Sequence, residues 1–255
     1  MCLILFAYKI HPKYKFILAA NRDEFYERPT APARFWDDAP EILGGRDLAL
    51  GGTWLGVTKN GRFAAVTNYR NPAQPKGKLS RGNLVSDFLR GNDGVWDYLQ
   101  AVERNANDFT GFNLLVGDFG KVNPEFAYFS NRRKGIKILD AGVYGLSNAF
   151  LDSPWQKVLK GKAGLAKIVA EKGEMSLDSL FNLLQDRSFA KDNDLPETGI
   201  GLDRERILSS MFIETPIYGT RSSCVLLIGN DNSISFSEES FHPSLTRLTE
   251  NFHIT

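Results

Sequence analysis

Two short stretches near the start of the chain carry side chains suited to nucleophilic chemistry. One is Met1-Cys2, and the other follows the apolar run Phe16–Ala20 with the residues Asn21, Arg22, Asp23 and Glu24. A cysteine thiol is a nucleophile, and removal of Met1 would give Cys2 an α-amine with a pKa of about 8 that could act as its base. While Met1 remains, that nitrogen is an amide and cannot accept the proton. Alternatively, Cys2 is a small buried residue of a strand.

The elements that would position these groups are two apolar runs, Met1–Tyr8 and Phe16–Ala20. Both have the length of buried strands, and His11-Pro12-Lys13 between them is typical of a turn. A hairpin would bring Cys2 within reach of the polar cluster, which we expect to emerge at the end of the second strand. The alternative is that residues 21–24 form a structural turn in which Asn or Asp caps backbone donors.

Further along the chain, strands are predicted at Thr53–Thr58 and Arg62–Thr67, joined across Asn60-Gly61. Residues 27–47 contain several prolines and predict an ordered loop. Helices are expected near residues 83–90, 95–105, 155–171 and 176–186, and an antiparallel meander between 112 and 146. Because short turns rather than helical crossovers link the apolar runs, we expect an α+β fold with two antiparallel sheets.

Composition narrows the class of protein. The chain has 255 residues, 42% of them hydrophobic, which suits a single domain spanning residues 1–255. A net charge of +1 predicts no nucleic-acid partner and favours a small-molecule ligand. Two cysteines are typical of a reducing compartment, and no run is long enough for a membrane span or signal peptide, so a cytoplasmic protein is expected.

Metal and nucleotide chemistry are not expected. The three histidines are scattered, which argues against a zinc site or a histidine-based triad, and no phosphate-binding loop occurs. We therefore predict no metal and no cofactor; the sequence does not predict the oligomeric state.

Several separate motifs carry a family resemblance that runs along the whole chain. They are Met1-Cys2, Ala20–Phe25, Gly51–Gly56, Thr67–Tyr69 and Tyr218–Ser223. In this order they resemble the NRDE family, or transport and Golgi organisation protein 2 family. Its members resemble N-terminal-nucleophile hydrolases of the penicillin V acylase and bile salt hydrolase type. The resemblance implies a four-layer αββα sandwich of two antiparallel sheets between helical layers.

The resemblance also implies catalytic roles. Cys2 would attack the substrate, Asp23 would orient Cys2, and Asn68 and Asn148 would stabilise the oxyanion. Each asparagine could instead merely end a strand. Relatives carry arginine where this chain has Ala20, and Arg22, on the opposite face of an extended strand, is not expected to replace it.

Ligand-binding roles are predicted for residues around these motifs: Asn21, Arg22, Glu24, Trp54 and Arg221. Arg221 lies in an otherwise apolar strand, where a charge is costly unless it has a partner such as Asp23 or an acidic ligand. Aromatic residues near the motifs could line an apolar pocket, although core packing is the commoner explanation for such residues.

Three classes of function follow. The leading hypothesis is a cysteine hydrolase for a non-peptide amide or thioester of an amphipathic small molecule. The alternative is a non-catalytic trafficking protein that binds acyl-coenzyme A or haem in the same pocket, for which the motifs offer no histidine as an iron ligand. The third is a protein-interaction role in secretion or Golgi organisation.

Overall fold

The computed structural model describes residues 2–75, 77–171 and 173–255. Met1, and with it the predicted start of the first strand, lies outside the described residues. The strands are β1 Cys2–Tyr8, β2 Tyr14–Phe25, β3 Thr30–Trp36, β4 Ala39–Asp47, β5 Leu55–Thr58, β6 Arg62–Asn68, β7 Phe112–Asp118, β8 Glu125–Ser130, β9 Lys137–Ile138, β10 Gly142–Leu146, β11 Tyr218–Gly229, β12 Ser233–Ser240 and β13 Thr246–His253. The α-helices are α1 Arg81–Arg90, α2 Val95–Arg104, α3 Gln156–Ala170, α4 Leu177–Leu184 and α5 Leu202–Ile207.

The chain divides into two compact units. The first contains the chain start to Glu27, Arg70–Ala73 and Asp140–Phe252; the second contains Arg28–Tyr69, Gln74–Leu139 and His253–Thr255. The first holds the sheet β10-β1-β2-β11-β12-β13, and the second holds the sheet β3-β4-β5-β6-β7-β8-β9. The ladders from β10 to β12 in the first sheet and from β3 to β9 in the second are antiparallel. The fold class is therefore α+β, as the sequence predicts.

Helices α3 and α4 pack against the first sheet and bury its apolar side chains, which include Leu3 and Leu5. A Cβ at Gly161 would lie only 2.7 Å from Leu5 Cδ1, so glycine permits the close approach of α3 to β1. Ser176 caps α4, since its hydroxyl accepts the Ser179 N–H. Helix α3 begins at Gln156, one residue after its predicted start, with Trp155 at the N-cap.

The second unit has its own core between its sheet and helices α1 and α2, formed by residues that include Phe88 and Phe112. The predicted Asn60-Gly61 turn joins β5 to β6, and Gly61 has a φ of +85° that favours glycine. None of the helices in the described part of the chain combines the length and apolar character needed to cross a membrane.

Three local predictions are wrong. Residues 27–47 form the β3–β4 hairpin rather than a loop, because β3 is the edge strand of its sheet and an edge tolerates Pro32. The polar cluster 21–24 was expected to follow the end of the second strand, but β2 continues to Phe25 and pairs with β11 there, so the alternative of a structural turn does not hold either. The predicted meander loses its last strand, because β10 pairs with β1 instead.

Candidate functional site

Cys2 and Arg22 lie directly opposite each other in the β1–β2 ladder. Opposed residues of an antiparallel pair project from the same face, so the guanidinium and the thiol share one side of the sheet. Arg22 is only 8% exposed, and its Nη1 atom makes no hydrogen bond within the described residues. The expectation that Arg22 would point away is therefore wrong, and a cation faces Cys2 despite Ala20.

The Cys2 thiol is buried, which controls its protonation. Burial raises its pKa and the negative charge of Asp23 raises it further, while Arg22 and the backbone N–H of Asp23 act in the opposite direction. The result is a raised pKa, so the group is a neutral thiol at neutral pH. Cys2 therefore needs a base before it can act as a nucleophile.

A β-bulge in β11 positions Asp23. The register of β11 against β2 shifts between Thr220 and Ser222, which pairs Thr220 with Asp23. The Thr220 hydroxyl donates to Asp23 Oδ1 at 2.8 Å and accepts the Ile213 N–H at 2.9 Å. Burial raises the pKa of Asp23, whereas the charge of Lys157 and the Thr220 hydrogen bond lower it. The carboxyl is thus fixed in position and poorly solvated.

Asn148 lies beside Cys2 just after β10. The Ser147 hydroxyl donates to the Cys2 carbonyl oxygen at 3.0 Å and lies 3.3 Å from Asn148 Oδ1. The backbone N–H of Arg70 donates to the Asn148 carbonyl at 2.7 Å. Asn148 is 1% exposed. These contacts bring Asn148 and Cys2 together although they are far apart in sequence.

A buried ion pair supports this arrangement. Arg70 Nη1 lies 2.5 Å from Glu205 Oε2, and both side chains are almost completely buried. The guanidinium also lies over the ring of Trp155, 4.6 Å from its centroid. Because the same arginine binds Asn148 through its backbone, the pair anchors the segment that holds Asn148.

Lys157, which the sequence analysis did not select, is the second buried cation near the site. It is 3% exposed on the first turn of α3, and its Nζ makes no hydrogen bond within the described residues. Burial lowers its pKa to about 8, while Asp23 raises it and Arg70 lowers it. Its spacing of four from Gly161 and eight from Leu165 places it on the apolar face of the helix, a signal that could have identified it.

The other predicted residues of the first unit bind protein groups. Asn21 donates to the carbonyl oxygens of Leu184 and Met211, at 3.0 and 2.9 Å. Arg221 donates to the carbonyl oxygens of Phe25 and Tyr26, at 3.1 and 2.9 Å, which explains a charge in this strand. Their ligand-binding roles stay predictions.

The remaining predicted site residues are Glu24 of the first unit and Asn68 and Trp54 of the second unit. Glu24 is half-buried and accepts the Phe25 N–H at 2.9 Å. Asn68 is the last residue of β6, and Trp54 lies just before β5, where it packs on the core of the second unit. The described residues contain no cluster of three or more metal-binding side chains.

Two solved structures define the class of fold. The Caenorhabditis elegans N-acylethanolamine-hydrolyzing acid amidase ortholog matches with a TM-score of 0.52 and 11% identity, over 89% of this chain and 92% of its own. The C2A mutant of conjugated bile acid hydrolase from Clostridium perfringens matches with a TM-score of 0.55 and 10% identity, over 100% and 97%. At this level of identity the likeness shows the fold alone, which is α+β with two antiparallel sheets, as the sequence predicts.

Sequence comparison identifies the family. Residues 1–243 match Transport and Golgi organisation 2, and the chain belongs to this family. The Transport and Golgi organization protein 2 homologs of Bos taurus and Homo sapiens are each 36% identical over 94% of this chain and 93% of their own length. The Drosophila melanogaster protein is 30% identical over 94% and 92%. The resemblance inferred from the motifs is confirmed.

Proposed function

We propose that this chain is a cysteine hydrolase that cleaves a non-peptide amide or thioester of an amphipathic small molecule. The observation that carries the proposal is that Ser147 joins Cys2 to Asn148 in the first unit, while Thr220 fixes Asp23, whose backbone N–H bonds the Cys2 thiol. A nucleophile, a carboxylate and an amide donor are the groups that acyl transfer requires. The names of the two structures with this fold, an acid amidase and a bile acid hydrolase, agree with this class of substrate.

In the proposed reaction, Cys2 Sγ attacks the acyl carbon after Met1 has been removed. The thiol proton passes to the new α-amine, and the side-chain N–H of Asn148 stabilises the oxyanion. Collapse of the tetrahedral intermediate releases the amine or thiol, which takes up that proton, and leaves an acyl-thioester on Cys2. Water then hydrolyses the thioester and restores the free thiol. Asn68 is the predicted second oxyanion donor.

The base is the critical requirement, because burial raises the pKa of Cys2. Removal of Met1 is therefore the step that would activate the protein. Mass spectrometry of the intact protein reports whether Met1 is absent. Retention of Met1 in active protein would overturn the α-amine as the base.

The direct test compares wild type with Cys2→Ala on a panel of N-acylethanolamines, bile acid conjugates and acyl-coenzyme A. We expect Cys2→Ala to abolish turnover, while Cys224→Ala, which removes the other buried thiol, retains it. Equal turnover in wild type and Cys2→Ala would contradict the proposal.

The second candidate is a carrier that binds acyl-coenzyme A or haem without turning it over. The buried, neutral Cys2 thiol favours it, because a pocket needs no ionised nucleophile to hold a ligand. Isothermal titration calorimetry with acyl-coenzyme A and haem tests this function. Tight binding without turnover, equal in wild type and Cys2→Ala, would favour the carrier.

A further inference from the structure

A buried carboxylate needs a countercharge, and the proposed reaction assigns no role to Lys157, a buried cation of the first unit. Asp23 is 1% exposed, and Lys157 is 3% exposed. Placing either charge in a poorly solvated region is costly unless an opposite charge lies nearby. Lys157 Nζ makes no hydrogen bond within the described residues, so no hydrogen-bond acceptor there accounts for its burial.

Helix α3 packs on the face of the first sheet from which Asp23 projects, because Ala19 of β2 belongs to the core beneath α3 and Asp23 follows it by four residues. One turn after Lys157 on the same helix, Gly161 packs directly on Leu5 of β1, and Val158 contributes to the core shared with Leu3. Lys157 lines a cavity together with Met211, whose carbonyl oxygen accepts a hydrogen bond from Asn21, two residues before Asp23 on the same face of β2. Its electrostatic neighbours are Asp23, Arg70, Cys2 and Glu205.

The charges around Lys157 favour Asp23 as its partner. Glu205 is already paired with Arg70, and Cys2 is a neutral thiol. The cavity beside Lys157 has a volume of about 220 Å³ and is also lined by Lys160, Asp186, Lys191 and Asp194. Lys160 binds Asp186, so its charge is balanced there.

We infer that Lys157 is the cation that keeps Asp23 ionised in its buried position, and is thus a positioning residue for the proposed Cys2 site. As the ammonium form it stabilises the carboxylate that orients the nucleophile. The inference rests on the proposed function only in giving the ionised Asp23 carboxylate a role in catalysis. The coupling between the two side chains is a property of the folded chain, so it can be measured without turnover.

The test is an NMR titration of protein labelled with ¹³C at the aspartate carboxyls, with the Asp23 signal assigned by its loss in Asp23→Asn. In Lys157→Met we expect Asp23 to titrate at least about one pH unit higher than in wild type, a tenfold change in proton affinity. Lys157→Arg retains the charge and should stay near wild type. Lys160→Met removes a lysine from the same helix and cavity, and should leave Asp23 unchanged.

The reciprocal measurement uses ¹³Cε-lysine. Because coupling between two sites is mutual, Asp23→Asn should lower the pH at which Lys157 titrates by the same amount. If Lys157→Met does not fold, this second measurement decides alone. Unchanged titration of Asp23 in Lys157→Met, or of Lys157 in Asp23→Asn, would overturn the inference.

Kinetics separate this inference from the proposed function. If the protein turns over substrate, Lys157→Met should move the acid limb of the kcat/KM profile to higher pH and retain the rate on the alkaline side. A merely structural defect would lower the rate at every pH. Wild type without turnover would refute the hydrolase while the two NMR titrations still decide the role of Lys157.

Discussion

Replacing Lys157 with methionine should change how the free energy of unfolding depends on pH. Burial lowers the pKa of Lys157 from 10.5 to about 8, a difference of about 2.5 pH units. At about 1.4 kcal/mol per pH unit, the buried ammonium costs the folded state about 3 kcal/mol at neutral pH. Between pH 8 and 10.5 the unfolded chain binds more protons at this position, so stability rises with pH across that window. Below pH 8 the cost is fully present.

Methionine has a similar shape and no charge, so Lys157→Met lacks this cost. The free energy of unfolding of the variant minus that of wild type should therefore be about 3 kcal/mol larger at neutral pH than at pH 10.5. Urea unfolding followed by tryptophan fluorescence over this range measures the difference. Lys160→Met, with its half-exposed side chain on the same helix, controls for loss of a surface charge. A difference that stays constant over the range would refute the reasoning.

Two further substitutions test the contacts that hold the site. Thr220→Val removes the hydroxyl that donates to Asp23; we expect a loss of about 2 kcal/mol in urea unfolding, because the acceptor is a buried carboxylate. If Asp23→Asn restores the stability of Thr220→Val, the loss comes from the unpaired carboxylate. A free energy of unfolding for Thr220→Val equal to that of wild type would exclude this cause. Glu205→Ala leaves Arg70 buried without its ion-pair partner, so we expect a loss of about 3 kcal/mol. The thermal unfolding midpoint should fall accordingly, and a midpoint equal to that of wild type would contradict it.

The local elements were predictable where turn chemistry and apolar periodicity agree. The β1–β2 hairpin and the Asn60-Gly61 turn were both predicted from a few residues. Proline misled the prediction at residues 27–47, because whether Pro32 is tolerated depends on β3 being an edge strand. Position in a sheet is a property of the whole fold and cannot be read from a local window. Polar strand β13 was missed for the same reason, since an edge strand can be charged.

The candidate site was predictable in part. The motifs selected Cys2, Asp23 and Asn148; all three lie in the first unit, where Ser147 joins Cys2 to Asn148, and their catalytic roles stay predictions. Lys157 was not selected, because a lysine beside apolar helix residues usually extends its amine to solvent. The orientation of Arg22 was also missed, since it depends on the register between two strands. Both errors concern cations, whose roles depend on surroundings that local sequence does not specify.

The order of strands in the first sheet has a consequence for biosynthesis. The apolar β1–β2 hairpin is made first, but its neighbours arrive late: Ile4 pairs with Leu146, and Ala20 pairs with Cys224. At about 5 to 20 residues per second on the ribosome, β2 waits roughly 10 to 40 s for β11. Until these partners are made, the unpaired edges of β1 and β2, whose apolar residues are buried in the folded protein, are exposed to other chains. A truncated product that ends before β11 would keep this edge of β2 unpaired, which makes it an aggregation hazard.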